Sequence, residues 1–348
     1  MKIAYILPSL KNVGPVRVVL DIVNNICNTR RDIEIVVYYV KDIVDVSFPC
    51  ECRKFSWVSF FELYSFDIIH SHMLRPDVLV SLLPWFKGRK ISTIHNIVEE
   101  DIFYTHGKFL SKLVSFFWFL IWRRFDDIVV LSRVASDYYQ RKGILQENIS
   151  LIYNGVRVNG GSNLEIDEVE SKVLSDFIVG RRVMGTACRF NRRKGLEQVI
   201  MALNQLSDHV FIILGEGNIK SELEQLAEEY NVKDRVLFLG YRESVIPYLK
   251  LFDLYVMPSR SEGFPLALIE AVSTGIPTVC SNIDIFKEAF LGDEVSFFEL
   301  DNVSSFVSAV RKVNGDFAIR ARSRFLSFYT DEIMAENYYN LYLKNDSD

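Results

Sequence analysis

The segment 258–271 holds the residues best suited to binding an anion. Pro265 fits the first position of a helix, because its fixed φ matches the helix and it lacks an N–H that would be unsatisfied there. Gly263 lets the preceding backbone approach a ligand, so free amides and the positive helix end would form an anion site. Apolar residues flank Glu270, and a carboxylate so placed is seldom buried without a partner. The hydroxyl pair of a ribose would satisfy it.

A cluster of cations in the same half of the chain favours a ligand over a purely structural role for this segment. The structural alternative is that the segment only starts a helix and that Glu270 pairs with a Lys or Arg of the protein. Arg189 and Lys194, with two arginines between them, place four cations within six residues. Their mutual repulsion makes such a cluster costly unless an anion offsets it. Arg189 follows a predicted strand and Lys194 precedes a predicted helix, so the two are placed to grip a diphosphate. The two intervening arginines are expected in a solvated turn.

Both clusters follow apolar runs that alternate with helical patterns along all 348 residues. This alternation predicts parallel sheets covered by helices on both faces, with ligands at the carboxyl ends of the strands. We predict an α/β protein of two doubly wound, Rossmann-like domains, residues 1–160 and 161–330, and a C-terminal helix and tail, 331–348, that returns to the first domain. The Gly- and Ser-containing stretch 159–163 is interpreted as the linker. The predicted strands are 3–7, 33–40, 67–70, 90–95, 128–131, 149–152, 182–187, 210–214, 236–239, 254–257, 278–281 and 296–299.

Composition and charge exclude several classes of protein. Hydrophobic residues make up 49% of the chain and charged residues 24%, which is typical of a globular protein rather than a disordered one. The net charge of −5 argues against a nucleic-acid-binding protein, which needs cations to neutralise phosphates. Residues 1–160 carry 20 Lys and Arg against 16 Asp and Glu, and the remainder carries 20 against 29. An anionic partner is therefore expected at the first half.

The cysteines and the apolar runs indicate a cytoplasmic protein. The five cysteines are odd in number and scattered, which is typical of reduced thiols. The first apolar run stops after a few residues without a small-residue cleavage site, so it predicts a strand rather than a signal peptide. No run of about 20 apolar residues predicts a transmembrane helix. The D-x-D at 346–348 lies in the terminal tail, and we expect no metal site there.

The segment 113–122 is apolar on every side of a predicted helix. Such a helix is either buried or lies in a membrane interface, and both possibilities stay open at this point. Cations flank it within 108–124, and they would suit anionic lipid head groups. Ten residues span only about 15 Å as a helix, so any membrane contact would be peripheral. The side chains expected to enter the interface are Phe116, Phe117, Trp118 and Trp122.

Taken in order, the motifs of the second half resemble the nucleotide-binding domain of retaining GT-B glycosyltransferases, specifically glycosyltransferase family 4. The matching pieces are Arg189, Lys194, the strand ends 214–217 and 238–241, and the E-x7-E pair Glu262 and Glu270. The first half resembles the acceptor domain of that family more loosely. Its matching pieces are the loop 12–15, His95 with Asn96, and 152–156. The loop at Gly14 departs from the double-glycine form that is common in the family.

This resemblance implies a GT-B fold, in which two Rossmann-like domains face a central cleft, and a role for each matching residue. Four residues are expected to be catalytic. Arg189 and Lys194 would hold the diphosphate. Glu262 would face the donor sugar, and His95 would face the same sugar from the other domain. Glu270 would bind the ribose. The donor-binding residues are expected to be Glu270, Gly263, Phe264, Pro265, Gly215, Gly240, Tyr241 and Gly14. His70 and His72 end a strand, where they either touch the acceptor or are structural.

From the resemblance we expect a retaining glycosyltransferase that needs neither a metal nor a cofactor. Its donor would be a UDP- or GDP-sugar, and its acceptor a hydroxyl of a lipid-linked glycan in bacterial O-antigen or capsule assembly. We expect no nucleic acid as a partner. The enzyme would work in the cytoplasm, at the inner face of the cell membrane. Two alternatives stay open: another GT-B enzyme, such as a nucleotide-sugar epimerase or a sugar-phosphate synthase, and a non-catalytic scaffold that binds nucleotide sugars.

Overall fold

The computed structural model of the protein describes residues 1–158 and 165–344. The chain divides into two units: Met1–Arg157 together with Phe328–Asp348, and Val158–Ser327. The divisions therefore fall slightly earlier than the sequence-based boundaries at 160 and 330, and the last helix belongs to the first unit. The linker expected at 159–163 and the D-x-D at 346–348 lie outside the described residues.

Each unit is built on one parallel sheet with helices between the strands. The strands are β1 Lys2–Leu7, β2 Glu34–Tyr39, β3 Glu51–Lys54, β4 Ile68–His72, β5 Arg89–Ile94, β6 Asp127–Val130, β7 Ile149–Leu151, β8 Arg182–Ala187, β9 His209–Leu214, β10 Val236–Gly240, β11 Leu254–Met257, β12 Thr278–Ser281 and β13 Ser296–Phe298. The α-helices are α1 Gly14–Thr29, α2 Trp57–Glu62, α3 Leu74–Ser81, α4 Val98–His106, α5 Lys108–Trp122, α6 Arg133–Arg141, α7 Glu168–Ile178, α8 Leu196–Ala202, α9 Lys220–Glu229, α10 Ile246–Leu249, α11 Leu266–Ser273, α12 Asp284–Ala289, α13 Val303–Lys312, α14 Gly315–Phe328 and α15 Asp331–Leu343.

The strand orders place a topological switch point in each sheet. The first sheet runs β3-β2-β1-β4-β5-β6-β7 and the second runs β10-β9-β8-β11-β12-β13. In each sheet the chain first builds outward on one side and then restarts on the other. The loops after β1 and β4, and those after β8 and β11, therefore diverge and leave a crevice in which ligands bind in such folds.

Burial explains why apolar runs were sufficient to predict most of the strands. All six residues of β9 are buried, and five of the six in β1 are, because helices cover both faces of each sheet. The strand β3 was not predicted. It is an edge strand with the sequence Glu-Cys-Arg-Lys, and its residues are exposed or half-buried, so no apolar run marks it.

The helix α5 packs Trp118, Phe119 and Trp122 against the core and also exposes a second set of aromatic side chains. Its serines Ser111 and Ser115 are 2% and 3% exposed, whereas Phe109 is 85% exposed and Phe116 and Phe117 are more than half exposed. An ordinary surface helix shows the opposite pattern. The core interpretation of this segment therefore does not hold for its aromatic face. Among the residues that the structure describes, no helix is long and apolar enough to cross a membrane.

The expectation that Trp118 and Trp122 enter a membrane interface is wrong. Their indole Nε1–H groups donate to Oδ2 of Asp77 on α3, at 2.7 and 3.0 Å. The hydroxyls of Ser71 and Ser92 donate to Oδ1 of the same carboxylate, at 2.6 and 2.9 Å. Burial raises the pKa of Asp77 to about 6 in spite of these four donors. The tryptophans point inward because this buried carboxylate needs hydrogen-bond donors.

Candidate functional site

The residues predicted to bind the donor lie in loops at the switch point of the second sheet. The strand β8 leads into the loop of Arg189 and Lys194, and its neighbour β11 leads into the loop of Glu262. Main-chain hydrogen bonding ties these loops together, since the amide of Arg260 donates to the carbonyl of Arg193 at 2.8 Å. Residues that are far apart in sequence are thus held side by side.

Two residues that sequence analysis missed brace the same loops. Gln198 on α8 donates from Nε2 to the carbonyl of Pro258 at 3.0 Å and accepts at Oε1 from the amide of Asp301 at 2.7 Å. Arg260 pairs with Glu197 at 2.6 Å and also with Asp301. A lone glutamine in a helix carries no sequence signal for this role, because its partners come from distant segments.

Lys194 and Glu262 form an almost buried ion pair. The distance from Nζ to Oε1 is 2.5 Å, and the two side chains are 14% and 7% exposed. Burial by itself would raise the pKa of Glu262, but the positive charges of Lys194 and Arg193 outweigh it and lower that pKa. Glu262 is therefore ionised at neutral pH. The structure brings together two residues that were predicted to touch different parts of the donor.

Arg189 differs from the other cations of its cluster. Its side chain is exposed, and it has no hydrogen bond or ion pair within residues 1–158 and 165–344. Arg192, by contrast, pairs with Glu222 at 2.9 Å at the surface, where it is 79% exposed. The repulsion within the cluster is thus weaker than the sequence suggested, because Arg192 and Lys194 already have carboxylate partners.

Glycines at the ends of β9 and β10 bring the neighbouring backbones close together. Gly215 and Gly240 have φ values of 121° and 76°, in the region that favours glycine. The amide of Gly215 donates to the carbonyl of Gly240 at 2.8 Å. A Cβ atom at Gly215 would lie 1.9 Å from the carbonyl oxygen of Cys188, so a larger residue would push these loops apart. Tyr241 follows with an exposed ring.

Arg242 fixes the loop that carries Tyr241, and sequence analysis missed it. Its guanidinium pairs with Glu170 on α7, and its Nε donates to the hydroxyl of Tyr248 at 2.8 Å. That hydroxyl donates in turn to Oε2 of Glu170 at 2.8 Å. Glu170 lies in the acidic stretch next to the predicted linker, where its sequence position gave no indication of a partner. The triad holds the backbone next to Tyr241 in place.

The helix α11 starts one residue later than predicted. Pro265 is the N-cap, and Leu266 is the first helical residue. Gly263 and Phe264 are buried just before it. The amides of Leu266 and Leu268 donate to the carbonyls of Phe264 and Pro265, at 2.9 and 3.0 Å. The positive end of the helix dipole lies at the carboxyl end of β11. Glu270 is half-buried on the same helix, between two buried apolar residues.

In the first unit, the predicted site residues lie at the carboxyl ends of other strands. Gly14 begins α1 after β1, and His95 follows β5. Nε2 of His95 lies 2.9 Å from Nδ1 of His72, the last residue of β4. Burial lowers the pKa of His95 to about 4, so its ring is neutral at neutral pH.

Two Rossmann-like units, each with a parallel sheet and a switch point, define the GT-B class of glycosyltransferase fold. Residues 174–322 match the model of glycosyl transferases group 1, and residues 52–159 match that of Glycosyltransferase Family 4. A relative, WclY, is 32% identical over almost the whole chain. Together with the two model matches, this identity shows that the chain belongs to the family 4, or group 1, glycosyltransferases. The resemblance to glycosyltransferase family 4 noted from the sequence motifs is thereby confirmed.

Named relatives show where related enzymes act. The chain is 32% identical to the O-antigen biosynthesis glycosyltransferase WclY of Escherichia coli, over 98% of both chains. It is 27% identical to the UDP-Gal:alpha-D-GlcNAc-diphosphoundecaprenol alpha-1,3-galactosyltransferase of Escherichia coli, over 82% of this chain and 79% of that one. The crystal structure of Anabaena HepE in complex with UDP and glucose superposes with a TM-score of 0.79 at 17% identity, covering 98% of this chain and 99% of that one. These comparisons confirm the GT-B fold and a glycosyltransferase of polysaccharide biosynthesis.

Proposed function

We propose that the protein transfers a sugar from a UDP- or GDP-sugar to a hydroxyl of a lipid-linked glycan, in O-antigen or capsule biosynthesis. The name of WclY supports the pathway, and the galactosyltransferase relative acts by its name on a sugar linked to diphosphoundecaprenol. That relative uses UDP-Gal, and HepE was crystallised with UDP, so UDP is the favoured nucleotide.

The proposed reaction retains the anomeric configuration of the donor. The bond from the anomeric carbon to the diphosphate breaks with both electrons on the departing oxygen, the acceptor oxygen bonds to the same face of the sugar, and the proton of the acceptor hydroxyl passes to the departing diphosphate oxygen. Arg189, Lys194 and the positive end of α11 stabilise the negative charge that develops on the diphosphate. Because protein cations supply this stabilisation, the proposal includes no metal ion. No carboxylate is assigned as a covalent nucleophile.

One observation carries this proposal: at a switch point, the loop after β8 holds both an exposed guanidinium that has no partner among the described residues and the lysine of a buried Lys–Glu pair. Arg189 lies at the end of β8, and its neighbour Lys194 is already bound to Glu262. A diphosphate bridging Arg189 and Lys194 would share the Lys194 ammonium with Glu262, and the Glu262 carboxylate would then face the attached sugar. The structural likeness to HepE supports the fold that this arrangement needs.

To test this proposal, the enzyme is incubated with UDP- or GDP-sugars and a synthetic polyprenyl-diphosphate-linked acceptor, and the product is analysed. Proton NMR of the new linkage should show the anomeric configuration of the donor, and inversion would contradict the retaining mechanism. Donor incubated without acceptor is the control. Isomerised sugar in that control would identify an epimerase. Transfer to a free sugar phosphate would identify a synthase, and binding without turnover would identify a scaffold.

We further propose that the enzyme docks on the inner face of the cell membrane through α5. The exposed apolar side chains of this helix stand beside four exposed cations, which suits anionic lipid. The cations are Lys108, Lys112, Arg123 and Arg124. Further exposed aromatic side chains of the same unit, Trp57 and Phe61 on α2 and Trp85 after α3, add apolar surface. A membrane-bound enzyme would meet a lipid-linked acceptor where that acceptor resides.

A further inference from the structure

The carboxyl end of β4 holds a buried histidine with an unusual hydrogen-bond pattern. His72 is fully buried, and its Nδ1 lies 2.9 Å from Nε2 of His95. Its other nitrogen, Nε2, is buried without a hydrogen-bond partner among the described residues. Because β4 is next to β1 in the sheet, this pair stands at the switch point of the first unit.

His70, two residues earlier on the same strand, shows what a structural histidine looks like in this fold. Its Nδ1 lies 2.8 Å from the hydroxyl of Tyr342, and its Nε2 lies 2.8 Å from the hydroxyl of Thr93. Both nitrogens are therefore occupied inside the unit. The rings of His70 and His72 lie 4.4 Å apart, so His70 packs directly against His72. The two histidines that sequence analysis treated alike thus differ in their partners.

Backbone strain follows His72 directly. Met73 has φ 74° and ψ 164°, a region that is almost confined to glycine. Strain of this kind costs about 1–3 kcal/mol and persists only where the surrounding structure fixes it, most often at functional sites. The strained residue turns the chain from β4 into α3. His72 is therefore held at a fixed place beside His95.

The buried nitrogen decides which histidine donates. Burial lowers the pKa values of His72 and His95, so both rings are neutral and their hydrogen bond contains one proton. If His95 donated, His72 would carry its own hydrogen on Nε2, where a buried N–H would have no acceptor. Buried N–H groups without a partner are rarer than incompletely used acceptors. His72 therefore donates from Nδ1, and the hydrogen of neutral His95 lies on Nδ1.

We propose that His72 is a positioning residue that fixes the tautomer of His95, so that His95 presents Nδ1–H to an oxygen of the acceptor bound at the switch point of the first unit. Nδ1 of His95 has no partner among residues 1–158 and 165–344, which leaves it available. In this state His95 donates a hydrogen bond and does not act as a general base. The ligand named here depends on the proposed function, whereas the tautomer does not.

The direct test is nitrogen-15 NMR of the histidine-labelled full-length protein at neutral pH. The His95 resonances, assigned by their loss in His95→Asn, should show a protonated Nδ1 and an unprotonated Nε2. A protonated Nε2, or a doubly protonated ring, would overturn the proposal. This readout requires no activity, so a failure of the proposed function would not affect it. His209→Gln in the second unit is the control, and it should leave the His95 resonances unchanged.

Variants at His72 extend the test to activity. His72→Asn keeps a donor near the position of Nδ1, so His95 should keep its tautomer and kcat should stay within about threefold. His72→Asp places an acceptor there, so the hydrogen of His95 should move to Nε2 and kcat should fall about tenfold. Equal activity of the two variants, with the His95 tautomer changed in only one of them, would contradict a positioning role. If either variant fails to fold, the wild-type spectrum still decides.

Discussion

In the second unit, the proposed site is built from charges, whereas the predicted site residue of the first unit belongs to a network of neutral rings. Lys194 and Glu262 are an ion pair, and Arg189 is a cation without a partner in the part of the chain that the structure describes. His72 and His95 share one hydrogen bond, and burial lowers both of their pKa values. This difference predicts different responses of the two units to mutation and to pH. Charges that face a diphosphate should be sensitive to truncation, and neutral rings should be insensitive to pH near neutrality.

The largest effect is expected from breaking the buried ion pair. Lys194→Met leaves Glu262 charged and without its main counter-charge, so the free energy of unfolding should fall by about 3–5 kcal/mol. Arg192→Ala, which breaks an exposed pair in the same loop, should cost at most about 1 kcal/mol. Urea denaturation measures both values. Because the pKa of Glu262 is lowered, the wild-type pair stabilises the fold above the ordinary pKa of a glutamate and loses this contribution in acid.

Removing the second member of the pair sharpens this prediction. The double variant Lys194→Met with Glu262→Gln should recover part of the lost stability, since no unpaired charge stays buried. Equal stability of Lys194→Met and Arg192→Ala would contradict the assignment of a buried pair.

A smaller effect is expected at Glu270. Glu270→Gln keeps the shape of the side chain and removes its charge, so binding of the donor and of free UDP should weaken by about 1.5–3 kcal/mol. A 2′,3′-dideoxy nucleotide should bind both proteins with similar affinity, because it lacks the hydroxyl pair. Titration calorimetry measures all six affinities. Equal losses for UDP and for the dideoxy nucleotide would instead assign Glu270 to a structural ion pair.

At the docking surface proposed on α5, each exposed cation should contribute about 1 kcal/mol to the binding of anionic vesicles. Replacing Lys108, Lys112, Arg123 and Arg124 by Gln should release the protein from phosphatidylglycerol vesicles in a flotation assay. A control with four exposed lysines of the second unit replaced by Gln should still float. If the wild-type protein does not float at low salt, docking through α5 is wrong.

The smallest effect is expected from pH near neutrality. Because the pKa of His95 is about 4 in the folded protein, the pH profile of kcat should show no transition near the ordinary histidine pKa of about 6.5. Between these values His95 binds a proton in the unfolded chain but not in the folded one, so its contribution to stability should fall as the pH is lowered from about 6.5 to 4. Asp77, whose pKa is raised, contributes with the opposite sign, so the contribution of His95 is measured as the difference in unfolding free energy between the wild type and His95→Asn across this range. A transition of kcat near pH 6.5 that disappears in His95→Asn would contradict the prediction that the His95 ring is neutral at neutral pH.

Sequence analysis predicted the strands and the charged loops well because both depend on local composition. Apolar runs mark buried strands, and β3 escaped only because it is a charged edge strand. The interactions that set the site could not be predicted, because their partners are distant in sequence. Trp122 reaches Asp77 across 45 residues, and Lys194 reaches Glu262 across 68.

The same limit applies to the histidines. The sequence placed His72 at a strand end, but only the fold shows that its free nitrogen is buried and that its other nitrogen contacts His95.

The most direct measurement for the charged site is the affinity of UDP and of uridine for the wild type, Arg189→Ala and Arg192→Ala. Arg189 has no protein partner within the described residues, so its loss should leave stability unchanged, weaken UDP binding more than tenfold and lower kcat by about 10²-fold. Uridine, which lacks the diphosphate, should bind all three proteins equally. Arg192→Ala should match the wild type throughout. Unchanged UDP affinity in Arg189→Ala, or an equal loss of UDP and uridine, would contradict a diphosphate site at the end of β8.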